Sequence, residues 1–314
     1  MIPTLFSVSY AGLWGQQRLT LPDFVRRAAR LGYPAVMLMG KRPHLSVLDA
    51  DDDLVEGVRR TAAEVGVEIS TVAAYTDFSL PHAAEVPQVE MQIAYVATLA
   101  RLAGSLGARI VRVFTGYSTT PEAAPRDWQT CVTAIRECAA RCADEGVILG
   151  VQNHHDIAVD TTAMAEFLAD VDHPNCRAMY DPWSPALRGE DLYAGARMMA
   201  PLAVQTTVAD YVRLPRYRYL SGLTNYAPET PMYRAVPVGE GCIDLAAFFA
   251  GLRDGGFDGY VAYEMCSPLR GGGGEENLDA AASRSLAAIR ALAAGDPVAT
   301  APSSPTPPGT SAGG

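Results

Sequence analysis

The stretch that decides the fold is VILGVQNHHD, residues 147–156, in which an apolar run is followed directly by an amide pair, two histidines and a carboxylate. An apolar run of this length is typical of a parallel strand that is buried on both faces. Parallel strands carry their functional groups at their carboxyl ends. We therefore expect a functional site where this strand ends, rather than a loop whose polar side chains only satisfy one another.

The same unit, a short apolar strand followed by an amphipathic helix, recurs on both sides of this stretch. Four units precede it, with strands predicted at 5–10, 35–39, 68–73 and 109–114. Three units follow it, with strands predicted at 177–180, 203–208 and 260–263. Apolar residues at helical spacing predict the helices at 21–31, 51–65, 89–106, 126–144, 161–171, 191–199, 245–253 and 278–293.

Alternation of eight strands with eight helices predicts a (β/α)8 TIM barrel, because parallel strands need helical crossovers and eight of them close into a packed ring. A doubly wound open sheet is the alternative. It is disfavoured because no G-x-G-x-x-G run follows the first strand. Residues 1–295 form one predicted barrel domain, and residues 296–314, rich in Pro, Ser, Thr, Ala and Gly, are expected to be a disordered tail.

The composition argues against several classes of protein. The 314 residues carry a formal net charge of −10 without a basic run, so a nucleic-acid surface is not expected. No apolar stretch is long enough to span a membrane, and residues 1–10 lack the pattern of a signal peptide, so we expect a cytoplasmic protein with no membrane partner. Six cysteines without C-x2-C spacing are expected to be buried thiols.

Polar side chains end most of the predicted strands, and in a barrel these ends meet at one mouth. Asp181 and Glu264 directly follow apolar runs, so we expect both carboxylates at a functional site rather than in loop caps. Lys41 is the only lysine of the chain. The candidates to orient substrate oxygens are Lys41, Arg42, His44, Tyr75, Asn153 and Trp183.

The strand ends of the second half resemble those of the xylose-isomerase-like barrel superfamily of sugar isomerases and epimerases, which includes hydroxypyruvate isomerases and ketose 3-epimerases. In this family a strand-five E-N-H run, a strand-six D-P run, a strand-seven His or Gln and a strand-eight Glu hold a divalent ion. The matching positions here are Gln152-Asn153-His154, Asp181-Pro182, Thr207 three residues before Asp210, and Glu264. The run VGEGCID at 238–244 also resembles a family motif.

The resemblance implies a divalent metal (Mn, Mg or Zn) with Gln152, Asp181, Gln205, Thr207 and Glu264 as its ligands. Two departures weaken this set. Gln152 stands where the family has Glu, and Thr207 stands where it has His or Gln, with Gln205 two residues earlier on the same strand face. An amide coordinates through its carbonyl oxygen but adds no charge, so the metal would be bound weakly.

The amide at Gln152 also removes a catalytic group. In the family, the strand-five and strand-eight carboxylates together move a proton between neighbouring carbons. The resemblance implies that Glu264 keeps one half of this relay. His154 or His155 would replace the other half, because an imidazole with a pKa near 6.5 is a competent base.

Three functions remain open from the sequence. The first is a metal-assisted isomerase or epimerase of a sugar or sugar-like polyol, which abstracts a proton next to a carbonyl. The second is a lyase of the same superfamily, a dehydratase or a carbon-glycoside-cleaving enzyme, because one carboxylate and one histidine suit an elimination. The third is a metal-free sugar-binding barrel without catalysis, which the loss of two ligands supports.

A long predicted loop at residues 211–226 is rich in Tyr and Arg. Arg213 and Arg216 are candidates to bind an anionic group of the substrate, and the tyrosines are suited to stack on a ring. The alternative interpretation is a contact between copies of the chain in a homo-oligomer.

Overall fold

Eight parallel strands close into a ring in the computed structural model of the chain, which describes residues 1–79, 85–118 and 120–298. The first strand closes the ring by pairing with its sequence neighbour on one side and with the last strand on the other. The barrel strands are β1 (Ile2–Phe6), β2 (Ala35–Met39), β3 (Glu68–Ala73), β4 (Ile110–Phe114), β5 (Ile148–Gln152), β6 (Cys176–Met179), β7 (Ala203–Val208) and β10 (Tyr260–Tyr263). The predicted (β/α)8 TIM barrel is confirmed.

Helices connect the strands around the outside of the ring. They are α1 (Leu21–Leu31), α2 (Asp52–Val65), α3 (Gln88–Leu106), α4 (Ala124–Asp144), α5 (Thr161–Val171), α6 (Trp183–Arg188), α7 (Leu192–Met199), α8 (Leu245–Asp254) and α9 (Glu275–Ala294). Each of the eight predicted helices is present. The short helix α6 was not predicted, and it begins directly after Asp181-Pro182.

Side chains of the barrel strands alternate between two buried environments. In β4, Ile110 packs inside the ring with Met37 and Met179. Its neighbours Val111 and Val113 belong to the larger core between the strands and the helices. Because both faces are buried, the strand sequence is continuously apolar although the side chains still alternate with a period of two.

One predicted strand boundary and one predicted loop were wrong. The first strand is Ile2–Phe6 rather than residues 5–10, because the chain turns into a 3-10 helix at Ser7–Tyr10, where the Ser7 hydroxyl accepts a hydrogen bond from the Met39 backbone amide at 2.8 Å. The predicted loop at 211–226 is an antiparallel hairpin of β8 (Asp210–Leu220) and β9 (Asn225–Val236). Prolines within both strands obscured it, and the register shifts between Leu214 and Arg216, on either side of Pro215.

Three smaller expectations concern the surface and the ends of the chain. The tail predicted at 296–314 lies mostly outside the described residues, which end at 298. Within the described residues, no helix combines the length and apolarity needed to cross a membrane. All six cysteines are free, and Cys242 is exposed rather than buried.

Candidate active site

The mouth of the barrel brings Gln152, Asp181 and Glu264 together. Gln152 is the last residue of β5, Asp181 lies two residues beyond β6, and Glu264 directly follows β10. Gln152 Nε2 donates a hydrogen bond to Asp181 Oδ2 at 2.7 Å. Burial, and then the negative charge of Asp181, raises the pKa of Glu264, so this carboxylate faces the same space.

Two neighbours fix the orientation of the Gln152 amide. Arg112 in β4 donates from Nη1 to Gln152 Oε1 at 3.1 Å, and Asp181 accepts from Nε2 on the other side. Turning the amide by 180° would place its NH2 group against a guanidinium, which only donates, and its carbonyl against a carboxylate, which accepts. The carbonyl oxygen of Gln152 is therefore directed at a cation.

The carboxyl group of Asp181 is buried and fully engaged. Its Oδ1 accepts from the Trp183 backbone amide at 3.0 Å, while Oδ2 accepts from Gln152. Asn153 accepts from the Asp181 backbone N–H at 2.7 Å and donates to the Asp181 carbonyl at 3.1 Å. Asn153, predicted to bind substrate, thus positions the backbone of Asp181. Burial raises the pKa of Asp181 to about 6.

Glu264 is the carboxyl group of the mouth with the fewest partners. Its one side-chain contact among the described residues is the Cys266 thiol, whose Sγ lies 3.6 Å from Oε1. Burial, followed by the charge of Asp181, raises the pKa of Glu264 to about 7, while the Arg112 charge opposes this shift. A carboxyl group with such a pKa exchanges protons readily near neutral pH.

His154 and His155 both pack against the Phe114 ring, and their own ring centroids lie 5.3 Å apart. His154 reaches solvent at the mouth and lies 4.6 Å from the Phe114 centroid. His155 is buried between Phe114 and Tyr117, at 4.5 and 4.1 Å. Desolvation by the surrounding protein, and then the Arg112 charge, lower the pKa of His154 to about 4. Burial, and then the neighbouring His154, lower the pKa of His155 to about 3. Both imidazoles are neutral at pH 7.

Arg112 is the site residue that the sequence analysis missed. It lies in the middle of β4, shares its inward face with Ile110 and Phe114, and is 2 % exposed. Its guanidinium carbon lies 3.9 Å from the Phe114 centroid. Arginine is rarely buried without a partner, so an Arg inside the apolar run IVRVF was the available signal.

Several predicted ligands and substrate contacts lie elsewhere. Gln205 aligns with Tyr260 at the start of β10, below the mouth, where it accepts from Thr71 Oγ1 at 2.5 Å and donates to the Met37 sulfur at 3.1 Å. Thr207 aligns with Ala262, nearer the mouth, and its buried hydroxyl has no hydrogen-bond partner among the described residues. Gln205 therefore does not join the ring of Gln152, Asp181 and Glu264.

His44 also serves the fold rather than the mouth. Its Nδ1 lies 3.0 Å from the Ser7 hydroxyl, and its Nε2 lies 3.2 Å from the Leu19 carbonyl. Because both ring nitrogens have partners and the side chain is buried, His44 has no free group for a substrate. Burial lowers its pKa to about 4.

The remaining candidates divide between the mouth and the surface. Lys41 and Tyr75 lie at the mouth, with Lys41 Nζ 3.7 Å from the Tyr75 centroid. Trp183 follows Asp181, and its ring packs on Tyr211 at 4.3 Å. The candidates on the exposed surface are Arg42, paired with Asp49, Arg216, paired with Glu229, and Arg213 on β8.

The donor set does not fit the divalent metal that the family resemblance implies. In the described part of the chain, no three His, Cys, Asp or Glu side chains are arranged to hold an ion. Of the ligands that the resemblance implies, Asp181 and Glu264 are the carboxylates, Gln152 directs its carbonyl at Arg112, and Gln205 lies in the barrel interior. A divalent ion needs several oxygen ligands and tolerates a neighbouring fixed cation poorly.

A cavity of about 520 Å³ opens beside the ends of β3 and β4. Tyr75, Phe114 and His155 form its inner wall, and residues at the start of α3 form its outer wall. This volume is in the range of small-molecule binding sites. The cavity therefore adjoins the two aromatic rings that contact Arg112.

Comparisons with known proteins agree with this architecture. Residues 25–292 match the family model described as xylose isomerase-like TIM barrel. The probable 3-DHS dehydratase AsbF from Bacillus anthracis is 20% identical, with 93% of this chain and 98% of that chain covered and a TM-score of 0.68. No protein of curated function matches the chain by sequence.

Two epimerases have similar structures. The D-psicose 3-epimerase from Clostridium cellulolyticum H10 is 15% identical, with 93% and 99% of the two chains covered and a TM-score of 0.72. The 3-keto-D-glucoside 4-epimerase from E. coli is 15% identical, with 92% and 99% covered and a TM-score of 0.69. At these identities the likeness concerns the fold.

Proposed function

Because the chain belongs to the xylose isomerase-like TIM barrel family, we propose that it is an isomerase or epimerase of a small sugar or sugar-like polyol. In this reaction Glu264 removes a proton from the carbon next to a carbonyl group. The observation that carries the proposal is the position of Glu264, a partly buried carboxyl group at the mouth without an ion pair or a strong hydrogen bond among the described residues.

The surroundings of Glu264 support the proton transfer. Its carboxylate takes the proton, and the electron pair of the broken C–H bond moves toward the carbonyl oxygen of the substrate. The negative charge that develops there is favoured by the positive potential of Arg112 and Lys41 at the same mouth. Glu264 then returns the proton to the neighbouring carbon, and the proton of the adjacent substrate hydroxyl moves to the former carbonyl oxygen, so that the carbonyl group has shifted by one carbon.

The histidines have a smaller role in this reaction than the proton transfer that the sequence implied. His154 stands at the mouth, but a pKa of about 4 leaves it neutral at pH 7, without the imidazolium proton that a general acid transfers. We therefore propose His154 as a hydrogen-bonding partner of the substrate. A single mobile carboxyl group favours proton transfer by one base on one face of the substrate, which suits an isomerisation. An epimerisation would need a second proton donor on the opposite face.

A lyase is the second candidate, and the same observation favours it. Both oxygens of Asp181 accept hydrogen bonds, so of these two carboxyl groups Glu264 is the one free to move protons. One such group can remove the proton and then protonate a leaving hydroxyl on the same face. A neighbour of similar fold is described as a probable dehydratase.

The experiment uses the compounds named for the structural neighbours: D-psicose, D-tagatose, a 3-keto-D-glucoside and 3-DHS. Each is incubated with the chain in heavy water, and deuterium uptake and product formation are followed by NMR. We expect uptake next to the carbonyl, and Glu264→Gln should slow it by about 10²–10⁴-fold. Loss of water would identify the lyase.

The control is Glu56→Gln, which changes an exposed glutamate on α2 and should leave the exchange unaltered. Equal exchange in wild type and Glu264→Gln would remove Glu264 as the base. Binding of these sugars without exchange or product would support the third function, a sugar-binding barrel.

A further inference from the structure

Two cations at the mouth approach one aromatic ring, and neither forms an ion pair within the described part of the chain. The guanidinium carbon of Arg112 lies 4.7 Å from the Tyr75 centroid, and Lys41 Nζ lies 3.7 Å from the same centroid. None of the ion pairs within the described residues includes either side chain.

Arg112 presents one edge of its guanidinium without partners. Nη1 donates to Gln152, whereas Nε and Nη2 are buried and make no hydrogen bond of good geometry among the described residues, although the Tyr75 side chain lies close enough to interact with the guanidinium. Buried N–H groups of this kind cost free energy unless something accepts from them. The unpartnered edge therefore has the properties of a binding site for an acceptor.

Other arginines of this chain show what fits that edge. Arg59 uses Nε and Nη2 to hold both carboxylate oxygens of Glu56, at 2.8 and 2.9 Å. Arg42 holds Asp49 in the same way, at 2.5 Å for each contact. The two N–H groups are spaced to match the two oxygens of a carboxylate.

We propose that Arg112 and Lys41 form a binding site for a carboxylate group of the substrate. The Nε and Nη2 groups of Arg112 donate to the two carboxylate oxygens, and the Lys41 ammonium adds a second positive charge. The substrate is then an acidic member of the proposed class, a sugar acid or a related hydroxy or oxo acid. This inference rests on the proposed function for the use of the site, but the binding itself is measurable without turnover.

The surroundings favour a carboxylate over a phosphate. Phe114 at 3.9 Å and Tyr75 at 4.7 Å lie against the guanidinium, so the ligand meets it at the edge. A planar group with two oxygens fits an edge in the plane of the guanidinium. A phosphate would direct further oxygens toward these rings, where the Tyr75 hydroxyl is the single donor that the two rings offer.

Calorimetric titration of the full chain tests the proposal with defined probes. D-Gluconate and acetate are the carboxylates, D-glucitol is the neutral counterpart of gluconate, and glycerol 3-phosphate is the phosphate. We expect gluconate to bind at least tenfold more tightly than glucitol. Arg112→Gln should weaken gluconate binding by about 10–100-fold and remove this preference, because charge-assisted hydrogen bonds are lost.

Lys41→Gln gives a second variant at an accessible position and should weaken gluconate binding severalfold without changing glucitol binding. The matched control is Arg109→Gln, which removes an exposed arginine at the start of the same strand, paired with Glu68 at 3.1 Å, and should bind gluconate like wild type. If Arg112→Gln does not fold, Lys41→Gln decides the question.

Three outcomes would overturn the carboxylate site. They are equal or absent binding of the acids relative to glucitol, wild-type affinity in a folded Arg112→Gln variant, and Arg112-dependent binding of glycerol 3-phosphate that is tighter than that of gluconate. Glu264→Gln separates the two proposals. If Glu264→Gln and the wild type both bind gluconate, while neither exchanges deuterium into the four compounds of the exchange experiment, the proposed reaction fails and the carboxylate site stands.

Discussion

The guanidinium of Arg112 lies against the amide of Gln152, with Nη1 3.1 Å from Oε1, at the strand end where the family resemblance implies a metal ligand. A metal ion at Gln152 would have to share this oxygen with a fixed positive charge. At such distances like charges repel strongly in a buried site. The mouth therefore already contains a cation of its own.

Removing that cation should make the mouth a better metal site. Gln152→Glu alone should gain little affinity for Mn²⁺, because the new carboxylate pairs with Arg112. The double variant Gln152→Glu with Arg112→Gln should bind Mn²⁺ at least tenfold more tightly than wild type, since three carboxylates then face the mouth. Calorimetric titration measures this. Equal affinity in the single and double variants would show that Arg112 does not compete with the ion.

The stability of the protein should depend on the ionisation of Glu264. Its pKa is raised from 4.5 to about 7, so the folded chain holds this proton more tightly than the unfolded chain. The resulting stability is present below pH 4.5 and is lost as the pH rises through 7. Glu264→Gln removes this dependence, so its free energy of unfolding relative to wild type should rise by about 1–3 kcal/mol between pH 5 and 8.

Thermal unfolding at several pH values checks the expectation for Glu264. Glu56→Gln is the control, because the pKa of Glu56 is lowered by its hydrogen bond to Arg59 and the group stays ionised over this range. The difference in free energy of unfolding between Glu56→Gln and the wild type should not change with pH. If the difference for Glu264→Gln does not change with pH either, the Glu264 pKa is not raised.

Gly150 should tolerate no side chain. A Cβ there would lie 2.6 Å from the Met179 sulfur, in a strand position that faces the barrel interior. Gly150→Ala should therefore lower the free energy of unfolding by about 1–3 kcal/mol, the usual cost of overpacking. Gly57→Ala on α2 is the control: nothing lies within 4 Å, and alanine favours a helix by roughly 0.5–1 kcal/mol. Equal melting temperatures for the two variants would contradict this account.

Asp210 holds the segment that resembles the family motif at 238–244. Its Oδ2 accepts from the backbone amides of Gly239 and Gly241, at 3.0 and 2.8 Å, and Oδ1 accepts from that of Tyr211 at 2.9 Å. Asp210→Asn leaves one accepting oxygen and should cost about 2–4 kcal/mol of stability. The exposed Asp258→Asn is the control. Chemical denaturation measures both, and a neutral effect at Asp210 would refute this role.

The barrel could be predicted from the sequence because its evidence is local. Each strand is an apolar run of a few residues, and each is followed by residues with helical spacing. Asp181 and Glu264 could be identified for the same reason, since both directly follow such a run and ring closure brings the strand ends together. The hairpin of β8 and β9 was missed because its prolines interrupt the alternating pattern.

The candidate site was only partly predictable, because the availability of a polar side chain depends on its partners. His44 and Gln205 were expected at the mouth, yet His44 is held by Ser7, and Gln205 is bonded to Thr71, 134 residues away in the chain. Arg112 was not expected at all, although it contacts Gln152 directly. No local pattern reports such contacts.

The sequence by itself therefore determined the order of strands and helices, the barrel and the two carboxylates at its mouth, because periodicity and strand ends are properties of neighbouring residues. Only the tertiary structure decided that Gln152 faces a guanidinium, that Asn153 supports a backbone and that Arg112 keeps two unpartnered N–H groups among the described residues. These facts follow from side chains that meet across the barrel, and they meet only once the ring of strands has closed.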